Sequence, residues 1–228
     1  MRLRPLLLTL VACDILLLIA GAVAAFLPDI SYTHLMLFNL ESEFTLPAAY
    51  SGLKLALFAC LAAIVTLGLD SRWARRAGLV WAAAFLFLAF DELGGIHERV
   101  ALIIRHVWLD GRRPAPGTVH VGDLAASLVW ILPGILLAIL SSRLWRELQP
   151  GRFCLAVGAG IFVTGAFLID GAGDALLAQK AHRILLEEGC EFLGLTVMIY
   201  GLCMFLSARP VTLTIGRNEE ALPSAEPS

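Results

Sequence analysis

Four acidic or imidazole side chains fall within eight positions of the stretch FLAFDELGGIHERV, residues 87–100, which begins as an apolar helix. They form two adjacent pairs, Asp91 with Glu92 and His97 with Glu98. Carboxylate and imidazole groups together suit Zn, Mn or Fe, whereas carboxylates alone suit Ca or Mg. An ionised group at bilayer depth is costly, so such a stretch requires a counter-charge close by.

Two later stretches repeat this pattern. In LIDGAGD, Asp170 and Asp174 are four residues apart, and in EEGCE, Glu187 and Glu188 precede Glu191 by four and three residues. Residues at these spacings lie on one face of a helix. Each stretch therefore presents more than one carboxylate to a single spot.

The acidic groups outnumber the basic groups available to balance them. Glu43 adds a further carboxylate just before the second apolar segment, and the candidate counter-charges are Arg99, Arg105, Lys180 and Arg183. Clustered carboxylates cannot all stay ionised at low dielectric without partners. Three alternatives are open: arginine pairs neutralise them, several hold protons, or a bound cation lies among them.

Composition identifies the elements that must position these groups. The chain is 59% hydrophobic and 16% charged, with a mean hydropathy of +0.82, whereas soluble domains are about 25% charged. A helix needs about 20 apolar residues to cross a bilayer. These values predict an all-α membrane protein. We expect one compact bundle of six transmembrane helices over 1–208, followed by a disordered cytoplasmic tail over 209–228. No nucleic-acid partner is expected. The six predicted helices are 5–27, 46–69, 77–106, 122–143, 152–177 and 184–207.

Arginines cluster at alternate helix ends, as at Arg2 and Arg4, at Arg75 and Arg76, and at Arg209. Basic residues favour the cytoplasmic side of a membrane. Both termini are therefore predicted to be cytoplasmic, although a few basic residues lie in the opposite loops.

Depth along each predicted helix brings the acidic groups into one layer. With a rise of 1.5 Å per residue, Asp91 lies about 21 Å, Asp170 about 25 Å and Glu188 about 28 Å from the cytoplasmic ends of their helices. All three positions are in the outer half of the membrane, whereas Asp14 lies near mid-depth. His97 points away from this layer in a regular helix, and a break at Gly94–Gly95 would swing it inward.

Five segments resemble an uncharacterised family of bacterial multi-pass membrane proteins: FNLESEFTLPAAYSGL, FLAFDELGGIHERV, VWILPG, GAFLIDGAGD and LLEEGCEFLGLTVMIYGL. The resemblance covers most of the chain and implies a location in the bacterial cytoplasmic membrane. It also implies a motif of an Asp-Glu pair, a His-Glu pair, a Glu-Glu pair and a later Glu. Asp170 stands where the family more often has Glu, and the residues after Glu43 depart from its small polar pair. The resemblance implies no activity.

The favoured hypothesis is a metal-dependent membrane enzyme acting at the outer leaflet on a lipid or small amphipathic substrate. Asp91 is the predicted general base or ligand-positioning group, with Glu98 as a second catalytic residue. The alternatives are a proton- or cation-coupled transporter, and a non-catalytic subunit or assembly factor with a structural Arg–carboxylate network. Additional candidates for the site are Glu43, Glu187, Asp174, Arg99 and Arg105. The predicted ligands of a Zn, Mn or Fe ion are Glu92, His97, Glu98, Asp170, Glu188 and Glu191.

Overall fold

The computed structural model describes residues 3–26, 37–40, 45–108, 132–169 and 179–209. The regular structure in these ranges is helical. The helices are α1 (Leu3–Phe26), α2 (Leu46–Leu67), α3 (Arg72–Gly94), α4 (Ile96–Trp108), α5 (132–140), α6 (Ser142–Glu147), α7 (Arg152–Val163, continued by a π-helix over Thr164–Ile169) and α8 (Lys180–Ala208).

Four of these helices, α1, α2, α3 and α8, are long and apolar enough to cross a membrane. They correspond to the first, second, third and sixth predicted spans. The stretch Arg152–Ala166 is apolar but shorter, and the fifth predicted span is described only as far as residue 169. Residues 122–131 of the fourth predicted span and the tail from residue 210 onward lie outside the described residues. Over the residues that the structure describes, the protein is therefore an all-helical membrane protein with four candidate spans.

Helices α2 and α3 form an antiparallel pair. The rings of Phe58 and Phe85 lie 4.2 Å apart between centroids. Two turns away, a Cβ on Gly52 would come within 2.8 Å of Leu93. Phe58, Phe85 and the small residues around them are buried between the two helices, which fixes their register.

Helix α8 packs on α7 through glycines spaced seven residues apart. These are Gly151 and Gly158 on one side and Gly194 and Gly201 on the other, so the helices run antiparallel. A Cβ on Gly158 would lie 2.6 Å from the carbonyl oxygen of Gly194. Small residues let helices in membranes approach backbone to backbone, and here only glycine permits the observed distance.

Polar contacts tie several helix ends together at one end of the bundle, called here the turn end because it contains the α2–α3 turn. Glu147 Oε2, at the end of α6, accepts hydrogen bonds from the backbone N–H groups of Asp70 (2.8 Å) and Ser71 (3.3 Å). Arg209, just after α8, forms an ion pair with Asp70 at 3.2 Å. The opposite end, where α3 stops and α8 starts, is called the carboxylate end.

The predicted third helix over 77–106 is not continuous, because α3 ends at Gly94. Gly95 adopts the left-handed conformation (φ 58°, ψ 41°), and its N–H donates to the carbonyl oxygen of Asp91. A residue with a Cβ is disfavoured there, which is why glycine commonly ends helices in this way. Glu92 consequently belongs to α3, whereas His97 belongs to α4.

Candidate functional site

The carboxylate end brings acidic groups from α3 and α8 together. Glu188, half-buried on α8, interacts electrostatically with Glu92 near the end of α3 and with Glu187 beside it. Glu188 therefore faces the negative charge of another helix, an arrangement that requires a counter-charge or a proton.

The other carboxylates of this end are also in contact with partners. Asp91 is buried, with 6% of its surface exposed. Glu187 forms an ion pair of 3.6 Å with Arg183, four residues earlier on α8. Asp91 and Glu191 each take part in at least one further polar or electrostatic interaction, whereas the Arg99 side chain is exposed.

Several predicted site residues, or their side chains, lie outside the part of the chain that the structure describes. Glu43, Asp170 and Asp174 are outside the described residues, as are the side chains of Glu98, Arg105 and His97. Of the six predicted metal ligands, the structure describes Glu92, Glu188 and Glu191. Among the side chains it describes, no three His, Cys, Asp or Glu residues are arranged to hold a metal ion.

A second cluster of polar side chains lies at mid-depth and centres on Lys54 of α2. The Lys54 side chain is buried, with 1% of the residue exposed. Its Nζ donates to Asp14 Oδ1 at 2.7 Å, to the carbonyl oxygen of Phe192 at 2.7 Å and to Thr196 Oγ1 at 2.8 Å. Thr196 donates in turn to Asp14 Oδ2, and Tyr50 donates to Asp14 Oδ1, both at 2.7 Å. All three donors of the ammonium are therefore satisfied, and α1, α2 and α8 meet at one buried ion pair.

Sequence reasoning noted Asp14 at mid-depth but did not single out Lys54. The signal was present, because each residue is the isolated charge of an apolar run and the charges are opposite. Counted from the turn end, Asp14 lies about 16 Å along α1 and Lys54 about 20 Å along α2. Lone intramembrane charges usually pair with one another, so depth matching would have identified the pair.

One face of α8 connects the two polar layers. Glu188, Phe192 and Thr196 follow one another at four-residue intervals, so they lie on the same side of the helix. The Phe192 ring stands edge-on to the Tyr50 ring, 5.5 Å between centroids. Lys54 Nζ lies 5.5 Å from the centre of the Phe192 ring. Phe192 thus separates the mid-depth ion pair from the carboxylates about one turn above.

The π-helix that continues α7 packs against the turn of α8 that bears Glu187 and Glu191. A Cβ on Gly165 would lie 2.8 Å from the carbonyl oxygen of Glu187 and 3.1 Å from Cγ of Glu191. π-Helical turns occur frequently at functional sites, where they redirect the backbone. Here the widened turn lies directly beside the acidic face of α8.

The model of a family described as "Domain of unknown function (DUF8692)" matches residues 8–206 of the chain. No curated protein and no solved structure matches the chain.

Proposed function

The chain belongs to the DUF8692 family, and we propose that it is a metal-dependent membrane enzyme acting on a lipid or other amphipathic substrate. The observation that carries this proposal is the interaction of Glu188 with Glu92 between α8 and α3. Two half-buried carboxylates that interact electrostatically favour a bound divalent cation, because the ion offsets both charges at once.

The ligands would come from three helices and one adjoining segment. Glu92 would contribute from α3, Glu188 and Glu191 from α8, and His97 and Glu98 from α4, with Asp170 completing the set as the sequence predicts. A Zn, Mn or Fe ion held there would supply Lewis acidity and a water of lowered pKa. The buried Asp91 is suited to accept a proton from the substrate or to orient a ligand.

The surroundings of the acidic layer support an amphipathic substrate. Apolar side chains on the same turns as the carboxylates are exposed, with Phe90 at 62%, Leu93 at 44% and Leu186 at 50%. In a helix that crosses a membrane such side chains contact lipid tails. A substrate that reaches the carboxylates from the bilayer would keep its apolar part among these side chains.

The proposed location is the bacterial cytoplasmic membrane, with both termini in the cytoplasm and the carboxylate end toward the outer leaflet. The arginine distribution supports this orientation. Arg72, Arg75 and Arg76 begin α3 at the turn end, and Arg209 follows α8 at the same end. Positive residues favour the cytoplasmic side, which leaves the carboxylates of α3 and α8 on the far side.

Metal analysis of the detergent-purified full chain tests the enzyme proposal. We expect close to one equivalent of metal in the wild type and at least a tenfold weaker affinity in Glu188→Ala/Glu191→Ala, because two oxygen ligands are lost. Asp70→Ala is the matched control, since its side chain is 81% exposed at the turn end, and it should keep the wild-type content. Equal, sub-stoichiometric metal in the wild type and the double variant would contradict the proposal.

A proton- or cation-coupled transporter is the second candidate, favoured by the mid-depth position of the Lys54–Asp14 pair. This pair lies between the acidic layer and the other side of the membrane, on the face of α8 that bears Glu188 and Thr196, with Phe192 between the two polar groups. Such a transporter should carry protons or cations into reconstituted vesicles, and Glu188→Gln should abolish the flux. Vesicles with wild-type protein that stay as tight as protein-free vesicles would exclude this candidate.

A further inference from the structure

Ser51 of α2 is completely buried, and its hydroxyl oxygen has no hydrogen-bond partner among the residues that the structure describes. Buried hydroxyl groups are almost always hydrogen-bonded, because leaving one unpaired costs its full desolvation energy. An unpaired hydroxyl inside a helical bundle therefore points to a ligand that completes its bonding.

The register of α2 and α3 places Ser51 opposite Glu92. Phe58 and Phe85 are in ring contact, and seven residues, or two turns, return each helix to the same face. Ser51 precedes Phe58 by seven residues, and Glu92 follows Phe85 by seven. Because the two helices are antiparallel, Ser51 and Glu92 occupy equivalent faces at the same level.

Helix α8 lies on the other side of Ser51. Tyr50, the preceding residue, packs its ring against Phe192 of α8, whereas Gly52, the following residue, contacts α3. Successive helical residues are about 100° apart, so Ser51 projects between these two neighbouring helices. Glu188 lies one turn above Phe192 on the same face of α8.

Glu92 and Glu188 interact electrostatically although they belong to different helices. Helical register therefore directs two carboxylates and one unpaired hydroxyl toward the space that α2 shares with α3 and α8, and all three groups offer oxygen.

We propose that Ser51 Oγ, Glu92 and Glu188 form an oxygen-lined cation site, with Mn²⁺, Mg²⁺ or Ca²⁺ as the class of ion bound. This inference rests on the proposed function and restricts the identity of the bound metal ion. Hydroxyl and carboxylate oxygens suit hard cations better than they suit zinc. Mn²⁺ is the member of the Zn, Mn and Fe group that fits such ligands best.

The test uses MnCl₂ with the detergent-purified full chain, read by thermal midpoint and by electron paramagnetic resonance of bound Mn²⁺. At about one hundred times the dissociation constant, Mn²⁺ should raise the wild-type midpoint by roughly 5–10 °C. Ser51→Ala should leave the metal-free midpoint equal or higher, because it removes an unpaired buried hydroxyl, and should weaken Mn²⁺ binding at least tenfold. Ser142→Ala, an exposed serine of α6, is the control and should match the wild type.

The variant Ser51→Cys tests whether Ser51 is a metal ligand or only a packing residue. A thiolate prefers softer metals, so this variant should bind Zn²⁺ more tightly and Mn²⁺ more weakly than the wild type, a reversal that altered packing would not produce. Unchanged Mn²⁺ binding in Ser51→Ala would overturn the assignment of Ser51 as a ligand. The proposed function would then be decided by the metal content of Glu188→Ala/Glu191→Ala. A wild type that binds none of the cations would overturn both.

Discussion

Replacement of Lys54 by methionine is expected to lower the free energy of unfolding by about 3–5 kcal/mol. The change removes three hydrogen bonds and leaves the Asp14 carboxylate, 5% exposed, without its cation. An uncompensated buried charge is what makes breaking such a pair costly. Asp14→Leu should be similarly destabilising, because it leaves the ammonium buried.

The double variant Asp14→Leu/Lys54→Met should recover most of this loss, since well-packed apolar residues often replace a buried ion pair at little cost. Thermal or denaturant unfolding of the detergent-purified variants, followed by circular dichroism, measures the three changes. Lys180→Met is the matched control, because Lys180 is the other lysine of the chain and is exposed, and it should shift stability by no more than about 0.5 kcal/mol. Additive losses in the double variant would argue against a coupled pair.

Gly158→Ala is expected to destabilise the protein by about 3 kcal/mol, at the upper end of the overpacking range. The new methyl group would lie 2.6 Å from the carbonyl oxygen of Gly194 and 2.8 Å from the backbone nitrogen of Met198. Backbone atoms cannot rotate aside as a flexible side chain can, so α7 and α8 would have to separate.

Gly160→Ala supplies the control on the same helix, because a Cβ there meets nothing within 4 Å. It should be neutral or stabilising by up to about 1 kcal/mol, the difference in helix propensity between alanine and glycine. Opposite signs for two identical substitutions two residues apart, read as thermal midpoints, would show that α7 packs on α8 through Gly158. Equal effects would contradict that packing.

The long helices could be predicted from the sequence because the length of an apolar run can be read from one segment alone. The runs that contain Asp14, Lys54 and Phe85 exceed what a bilayer requires, and each forms a helix in the structure. Depth arithmetic placed Glu188 and the acids of the third helix in one layer, and Glu92 is the residue of that helix with which Glu188 interacts. The rise per residue of a helix is enough to place residues of different helices at the same depth.

Other features depend on contacts that one segment does not encode. The end of α3 at Gly95 depends on a left-handed conformation that a glycine in an apolar run permits without requiring. The importance of Lys54 emerges only when α1, α2 and α8 are considered together. The same is true of Ser51, an ordinary helical serine until its neighbours are known to offer its hydroxyl no partner.

During synthesis, α1 and α2 enter the bilayer before α8 has been made. Each carries one charged residue at mid-depth that opposes its own insertion, and the two charges cancel when the helices enter as a hairpin, because Lys54 meets Asp14 directly. The remaining acceptors of the ammonium, Thr196 and the Phe192 carbonyl, arrive only with α8. Arrival of α8 therefore supplies the last two hydrogen bonds of an ammonium group that the first two helices have already brought into the bilayer.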